Sequence, residues 1–197
     1  TKRGSQLKNH FRYLDPKYSG ELRFEYMPED KEFGDSRQGV SLQHAHTFLP
    51  NLTATVDYNR VSDDRYFVDL ASQVRQVSIG NLQQDGYLTY HGSFGPYPYS
   101  AQARVQKFQT LQDPLAPITP PYHREPQLSF STSLNDLASL FDAALPAEYV
   151  NFTHVSMIEG ARASLRPTLA LPILTPGWFL TPTIGIHHVN YRLARTA

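Results

Sequence analysis

The chain has no cysteine, which removes disulfides, thiolate nucleophiles and cysteine-based metal centres from consideration. Neither sign of charge prevails. Lys+Arg and Asp+Glu number 18 each among 197 residues, so the basic stripe of a dedicated nucleic-acid binder is missing. No apolar run approaches the roughly 20 residues of a membrane-spanning helix, and the mean hydropathy is −0.43. That filter says nothing about a transmembrane barrel, whose strands are only half apolar. The Gly-x-Ser-x-Gly elbow of many hydrolases is absent too. The sequence opens on Thr1, with neither an initiator Met nor a charged-then-apolar leader, and reads as a processed piece or excerpt of a longer chain.

What the chain does have is alternation. In residues 160–188, Ala161, Ala163, Leu165, Leu169 and Leu171 share one parity, and Arg162, Ser164, Arg166 and Thr168 share the other. Beyond Thr175-Pro176-Gly177 it resumes, with Leu180, Ile184 and Ile186 against Thr181, Thr183 and His187. Successive strand side chains point to opposite faces, and Thr-Pro-Gly is turn chemistry, so the stretch predicts a two-faced β-hairpin. Each arm runs to about ten residues, near the 9–11 of a tilted transmembrane strand and above the usual 5–6. Pro167, Pro172 and Pro182 cannot donate to a ladder and predict bulges or broken pairing.

The same reading extends along the chain. Strands are expected over 6–14, 21–27, 39–48, 52–60, about 77–91, 97–108 and 127–133. The clearest sets Leu22, Phe24 and Tyr26 against Glu21, Arg23 and Glu25. Residues 133–145 are ambiguous. Leu134, Leu137, Leu140 and Phe141 have helical spacing after Ser133, yet Phe141, Ala143, Leu145, Ala147 and Tyr149 alternate through Pro146, where a helix would break. Turn plus strand is the preferred reading. With the 160–188 hairpin the count reaches ten strands. Connections alternate between short (15–20, 49–51, 92–96, 174–177) and long (28–38, 61–76, 109–126), as in up-and-down membrane barrels. Aromatics, mostly Tyr (12) and Phe (11), gather near strand ends where interfacial girdles sit. The fold expected is an all-β, antiparallel, up-and-down transmembrane β-barrel, represented by about ten strands of a larger one. A large soluble antiparallel sheet is the plainer reading.

Candidate chemistry is sparse. His44 and His46, two apart on one strand, could hold Zn²⁺ with a third ligand, but a girdle or sheet-face role suits them better. Asp57, Asp63, Asp64 and Asp69 could bind Ca²⁺, although the spacing is no EF-hand and a solvated loop is the simpler account. No catalytic residue, metal ligand or cofactor is assigned. The polar parity is the more informative set: Lys8, Arg12, Arg23, Glu25, Thr53, Thr55, Asp57, Asn59, Arg104, Gln106, Arg162 and Arg166. If the apolar faces meet lipid, these residues line a lumen. Its mixed charges, hydroxyls and amides suit phosphorylated sugars gripped by arginine forks, or a generic water-filled channel.

Several stretches, in order, carry a family resemblance. Asn59-Arg60-Val61-Ser62-Asp63-Asp64-Arg65-Tyr66-Phe67-Val68-Asp69-Leu70 is the most distinctive. It is joined by Lys2-Arg3-Gly4, Phe11-Arg12-Tyr13-Leu14, Met27-Pro28-Glu29-Asp30-Lys31, Phe108-Gln109-Thr110-Leu111, residues 121–128 and the hairpin with Gly177-Trp178-Phe179-Leu180-Thr181-Pro182. Together they resemble the LPS-assembly family LptD, also called OstA or Imp. The resemblance implies a non-enzymatic translocon of the Gram-negative outer membrane. It would take lipopolysaccharide from a periplasmic bridge protein at a β-jellyroll domain, pass the sugars through the lumen and release the lipid through a lateral gate. Implied partners are lipopolysaccharide, the plug lipoprotein LptE, the bridge protein and the barrel-assembly machinery. Residues 1–197 would be the first half of the barrel domain, with jellyroll, gate strands and the family's disulfide cysteines lying elsewhere. A general porin-like channel and an outer-membrane lipid hydrolase are the alternatives.

Overall fold

The computed structural model describes residues 2–75 and 80–194. Its strands are β1 (Leu7–Leu14), β2 (Tyr18–Asp30), β3 (Asp35–Leu49), β4 (Leu52–Val61), β5 (Asn81–Phe94), β6 (Tyr97–Thr110), β7 (His123–Leu137), β8 (Phe141–Ala144), β9 (Ala147–Thr153), β10 (Gly160–Leu165), β11 (Thr168–Ala170), β12 (Ile173–Leu174), β13 (Phe179–Leu180), β14 (Thr183–Gly185) and β15 (His188–Leu193). Among the described residues the one helix, α1, is a single turn, Tyr66–Asp69. The chain forms two compact units, residues 1–87 with 105–123, and 88–104 with 124–197. The all-β, antiparallel expectation holds.

In the first unit, β1 to β4 are successive antiparallel neighbours, and their register sorts the side chains as the alternation requires. Arg23 lies opposite His10 on one side and Ser41 on the other, and Gln43 lies opposite Glu21 and Asp57. One face is therefore polar. The other carries Leu22 between Phe11 and Leu42, and Phe24 beside Val40. Leu7 and Phe11 are 62% and 56% exposed there. A contiguous apolar face of this kind marks a contact surface for lipid or protein.

Near the short-turn ends this apolar face becomes aromatic. Tyr13 Oη and His44 Nδ1 are 2.6 Å apart, Tyr18 stacks on His46 at 5.5 Å and His46 on Phe48 at 4.1 Å. Both histidines are engaged by aromatic rings, in a girdle-like cluster. The Tyr13 ring lies directly over Gly20, where any Cβ would collide with the phenol. Tyr99 covers Gly92 in the same way in the second unit. The glycine leaves a notch in the pleat, and the ring from the neighbouring strand fills it.

The second unit explains the prolines. β10, β11 and β12 form one lane, and β13, β14 and β15 the next, in a single unshifted register: Gly160 faces Leu193, Thr168 faces Gly185 and Leu174 faces Phe179. β8 and β9 form one lane likewise, since Ala144 faces Thr168 and Ala147 faces Leu165. Counted by lanes, fifteen segments become the ten expected strands. The predicted disruption at Pro167, Pro172 and Pro182 is local loss of pairing without a bulge. Pro146 interrupts the adjoining lane in the same way. Residues 133–150 are strand, turn and strand; β7 reaches Leu137, and Asp136, Ala138 and Ser139 take positive φ at the turn.

Three expectations need correction. Residues 28–38 are not a long loop, because β2 continues to Asp30 and β3 starts at Asp35, leaving a four-residue turn. The 109–126 loop is shorter than read, since β6 runs to Thr110 and β7 begins at His123. The strand expected from 77 begins at Asn81; residues 76–79 lie outside the described set.

The Gly20 notch gives a direct test. Gly20→Val displaces Tyr13 and breaks its bond to His44, costing about 1–3 kcal/mol, the range for overpacking a filled site. Heat-modifiable gel mobility of the full-length protein should show a lowered unfolding temperature. Gly86→Ala, where the nearest atom to a built Cβ is 3.9 Å away, is the control and should leave it unchanged.

Candidate functional site

The polar face of the first unit is built around one buried arginine. Arg37, near the start of β3, has no exposed side-chain surface. Its Nε and Nη2 donate to Asp63 Oδ2 and Oδ1 at 2.9 and 2.7 Å, and Nη1 donates to Asp30 and Asp69 at 3.1 Å each. Phe33 lies 4.6 Å from the guanidinium carbon and the Tyr66 ring 5.4 Å. Arg3 adds a second cation, bonding Asp30 at 3.0 Å and Glu32 at 2.7 Å. A buried guanidinium is tolerated only when its donors are met by carboxylates in good geometry. Asp63 and Asp69, read above as Ca²⁺ candidates or solvated loop, are in fact this arginine's counter-charges; Asp57 pairs with Arg75 at 3.4 Å, and Asp64 is exposed.

Pinned in this way, residues 62–75 fold back as a strap over the polar face. Tyr66, Leu70 and Val74 pack with Met27, Val61, Leu82 and Leu111, each fully buried aliphatic side chain contributing about 1.5–3 kcal/mol. Gly39 makes the approach possible: a Cβ there would stand 2.9 Å from Val74 Cγ2 and 3.0 Å from Tyr66 Oη. Polar groups of the face then bond the strap. Glu25 accepts from Gln73 N at 2.6 Å and Tyr66 Oη at 3.0 Å, Arg23 Nη1 donates to Gln73 O at 2.9 Å, and Lys8 Nζ donates to Ala71 O. Burial, with the Glu25 carboxylate beside it, pushes the Tyr66 phenol well above the usual tyrosine range. The Gln109 carboxamide bonds both Val61 N and Val61 O, at 2.9 and 2.8 Å, acting as a strand partner where β4 ends.

The strap divides the sequence-derived set. Lys8, Arg23, Glu25, Asp57, Asn59, Thr53 and Thr55 do share the polar face, as does Arg12. Glu25 and Asn59 are buried, Asn59 by Ser41 at 2.6 Å, Asp57 at 2.7 Å and Gln83 O at 3.1 Å. Gln106 is buried as well. Arg12 remains exposed and lines an open pocket of about 810 Å³ with Glu21, Gln43, Thr55, Asp57 and Asp85. In the second unit Arg162 pairs with Glu148 at 2.6 Å, Arg104 is partly buried and partnered, and Arg166 is exposed. Three of the ten principal candidates, Glu25, Asn59 and Gln106, are therefore buried.

Comparison with known proteins agrees with this architecture. Residues 35–197 match the family LptD, described as LPS transport system D. The chain is 42% identical over 98% of its length to the LPS-assembly protein LptD of Aromatoleum aromaticum, covering 24% of that protein. The LPS-assembly proteins LptD of an Azoarcus species and of Ralstonia nicotianae are 42% and 38% identical, at the same 24% coverage. The chain belongs to the LptD family. It spans about a quarter of the length of these curated relatives. The family is named for transport and assembly, not catalysis.

Neither the role of Arg37 nor the strap follows from the alternation of the sequence. A signal for the strap was present: Tyr66, Leu70 and Val74 recur every fourth residue, the spacing of an apolar face on a helix-like segment. Trypsin can cut this strap at Arg65 and Arg75, both exposed. Arg37→Leu leaves three acidic groups with only the more exposed Arg3 and Arg65 to offset them, so cleavage of the full-length protein at these sites should rise by roughly tenfold or more, the scale of breaking a buried ion pair. Gly39→Val, which crowds Val74 and Tyr66, should produce the same cuts. Unchanged digestion in both variants would mean that neither the ion cluster nor the glycine notch holds the strap.

Proposed function

We propose that this chain is part of the wall of an outer-membrane β-barrel that carries lipopolysaccharide to the outer leaflet, with its polar face lining the lumen and its apolar face in lipid. The observation that carries the reading is the two-faced sheet of an LptD-family chain. One face is contiguous, apolar and exposed, and the other is hydroxyl-, amide- and charge-bearing. The strands of 13 to 15 residues, such as β2, β3 and β7, exceed the 9–11 needed to cross a bilayer. No helix among the described residues is long and apolar enough to do so.

In this reading residues 1–197 are the earlier half of the barrel domain. The jellyroll that receives lipopolysaccharide from the periplasmic bridge protein and the strands of the lateral gate belong to other parts of the full-length protein. The plug lipoprotein LptE and the barrel-assembly machinery are its proposed partners. The mechanism asked of these residues is non-covalent. Sugars exchange water for the hydroxyls and amides of the face, while acyl chains stay in an apolar phase. A strap over the polar face suits a guided route better than the open, substrate-tolerant lumen of a general porin.

Photoreactive residues at two neighbouring positions of β4 test this in the full-length protein in cells. Thr55 shares the polar face, and Val56 the apolar one. Thr55 should crosslink to lipopolysaccharide and Val56 to membrane lipid. Crosslinking of lipopolysaccharide at neither position, while unrelated sugars pass equally well, would replace the translocon by a porin-like channel.

A further inference from the structure

Arg162 and Arg166 stand on the same face of one lane, yet the structure gives them opposite roles. Arg162 is consumed by the fold: besides the ion pair to Glu148 Oε2 it lies 5.5 Å from the Phe152 ring, while Glu148 Oε1 accepts from Gln127 Nε2 at 2.7 Å. Arg166 is exposed and has no ion pair among the described residues. Its backbone is nonetheless fixed, because its N–H donates to Pro146 O at 3.0 Å and Pro167 follows it.

Around Arg166 the second unit forms a pocket of about 340 Å³, lined by Ser100, Gln102, Ser129, Ser131 and Ser164. That volume is within the roughly 300–1,000 Å³ of ordinary ligand sites. Four hydroxyls and a carboxamide offer both donors and acceptors, with few apolar groups among them. Glu148 is also at the wall, but its charge is already met by Arg162. The uncompensated charge of the pocket is therefore the Arg166 guanidinium, whose planar fork matches two oxygens of a phosphate.

We propose that this pocket binds a phosphorylated sugar, with Arg166 on the phosphate and the serines on sugar hydroxyls. The proposal deepens the translocon reading and rests on it, since it makes the pocket a station for the phosphate-bearing sugars of lipopolysaccharide. A free sugar phosphate has the same chemistry, and the experiment separates the two sources.

In cells, the full-length protein carries a photoreactive residue at Ser129, alone or with Arg166→Gln, Arg166→Lys or Arg162→Gln. Each is expressed in strains whose lipopolysaccharide sugars either bear phosphate or lack it. Crosslinking to phosphorylated lipopolysaccharide should fall about tenfold with Arg166→Gln, the scale of losing a charge-assisted bond, and should fall as far without substitution when the phosphate is missing. Arg166→Lys should fall less, retaining charge but not the fork. Arg162→Gln should lower the unfolding temperature without removing the preference for phosphate. Equal crosslinking of both lipopolysaccharides, or indifference to Arg166→Gln, overturns the proposal. Crosslinking at Thr55 but not at Ser129 removes the pocket from the lipopolysaccharide route and leaves the translocon standing; crosslinking at neither overturns the translocon as well. Calorimetry with glucosamine 6-phosphate on the purified full-length protein completes the test. Arg166-dependent binding there without lipopolysaccharide crosslinking assigns the pocket to the free sugar phosphate and removes it from the lipopolysaccharide route.

Discussion

The neutralisation of Arg37 is the constraint from which the first unit follows. A guanidinium with no solvent contact would be prohibitive without charge partners, and here three carboxylates from two chain segments surround it. Asp30 comes from the end of β2, while Asp63 and Asp69 come from the strap, so the ion cluster can form only if the strap returns to the β2–β3 turn. That requirement determines where Tyr66, Leu70 and Val74 are delivered, and hence why the polar face becomes apolar at Met27 and Val61. It also accounts for Gly39, whose missing side chain is the clearance the returning strap needs.

Once the strap is in place, charges on one face separate into two classes. Lys8, Arg23 and Glu25 serve the strap, and Glu25 does so with both carboxylate oxygens. Arg12 faces an open pocket instead; in the second unit, taken by itself, Arg166 faces another. The surroundings of these two differ in sign. Arg12 shares its pocket with Glu21, Asp57 and Asp85, while Arg166 shares its own with serines and a carboxylate that is already paired. An anionic cargo would therefore meet little net attraction in the first pocket and a definite one in the second, because Coulomb interactions act on the unbalanced charge and not on the count of arginines.

Much of this was legible in the sequence, and for a reason: period-two alternation fixes faces whatever the tertiary surroundings. Glu21, Arg23 and Glu25 could be placed together, and Phe11, Leu22 and Leu42 opposite them, without coordinates. What alternation cannot reveal is whether a polar residue faces water or another polar residue. Asp30 and Arg37 read as part of a long polar loop because a self-neutralising cluster and a hydrated one share the same composition. Arg162 and Arg166 were equivalent for the same reason: their parity is identical, and the difference is the Glu148 that reaches one of them from a neighbouring lane. The strap was seen only as a long connection, since a single helical turn stabilised by what it packs against has little local signature.

The prolines of the second unit illustrate how a break in a ladder can be made inexpensive. The interruptions at 145–146, 166–167 and 186–187 fall at one level of three adjoining lanes, as the shared register requires. Two of these breaks hold a proline, Pro146 and Pro167, where any other residue would add an N–H at a level without ladder pairing, which is costly where no water is present. Proline has no N–H to leave. Its carbonyl remains useful: Pro146 O accepts from Arg166 N, Pro167 O from Ile186 N, and Pro182 O from Leu171 N, all at 2.9–3.0 Å. The sheet therefore loses pairing at these levels while keeping its register and many of its donors satisfied. The break beside Pro146 also leaves Arg166 outside a regular strand, tied by its own backbone bond, where its guanidinium can address the pocket without opposing the ladder.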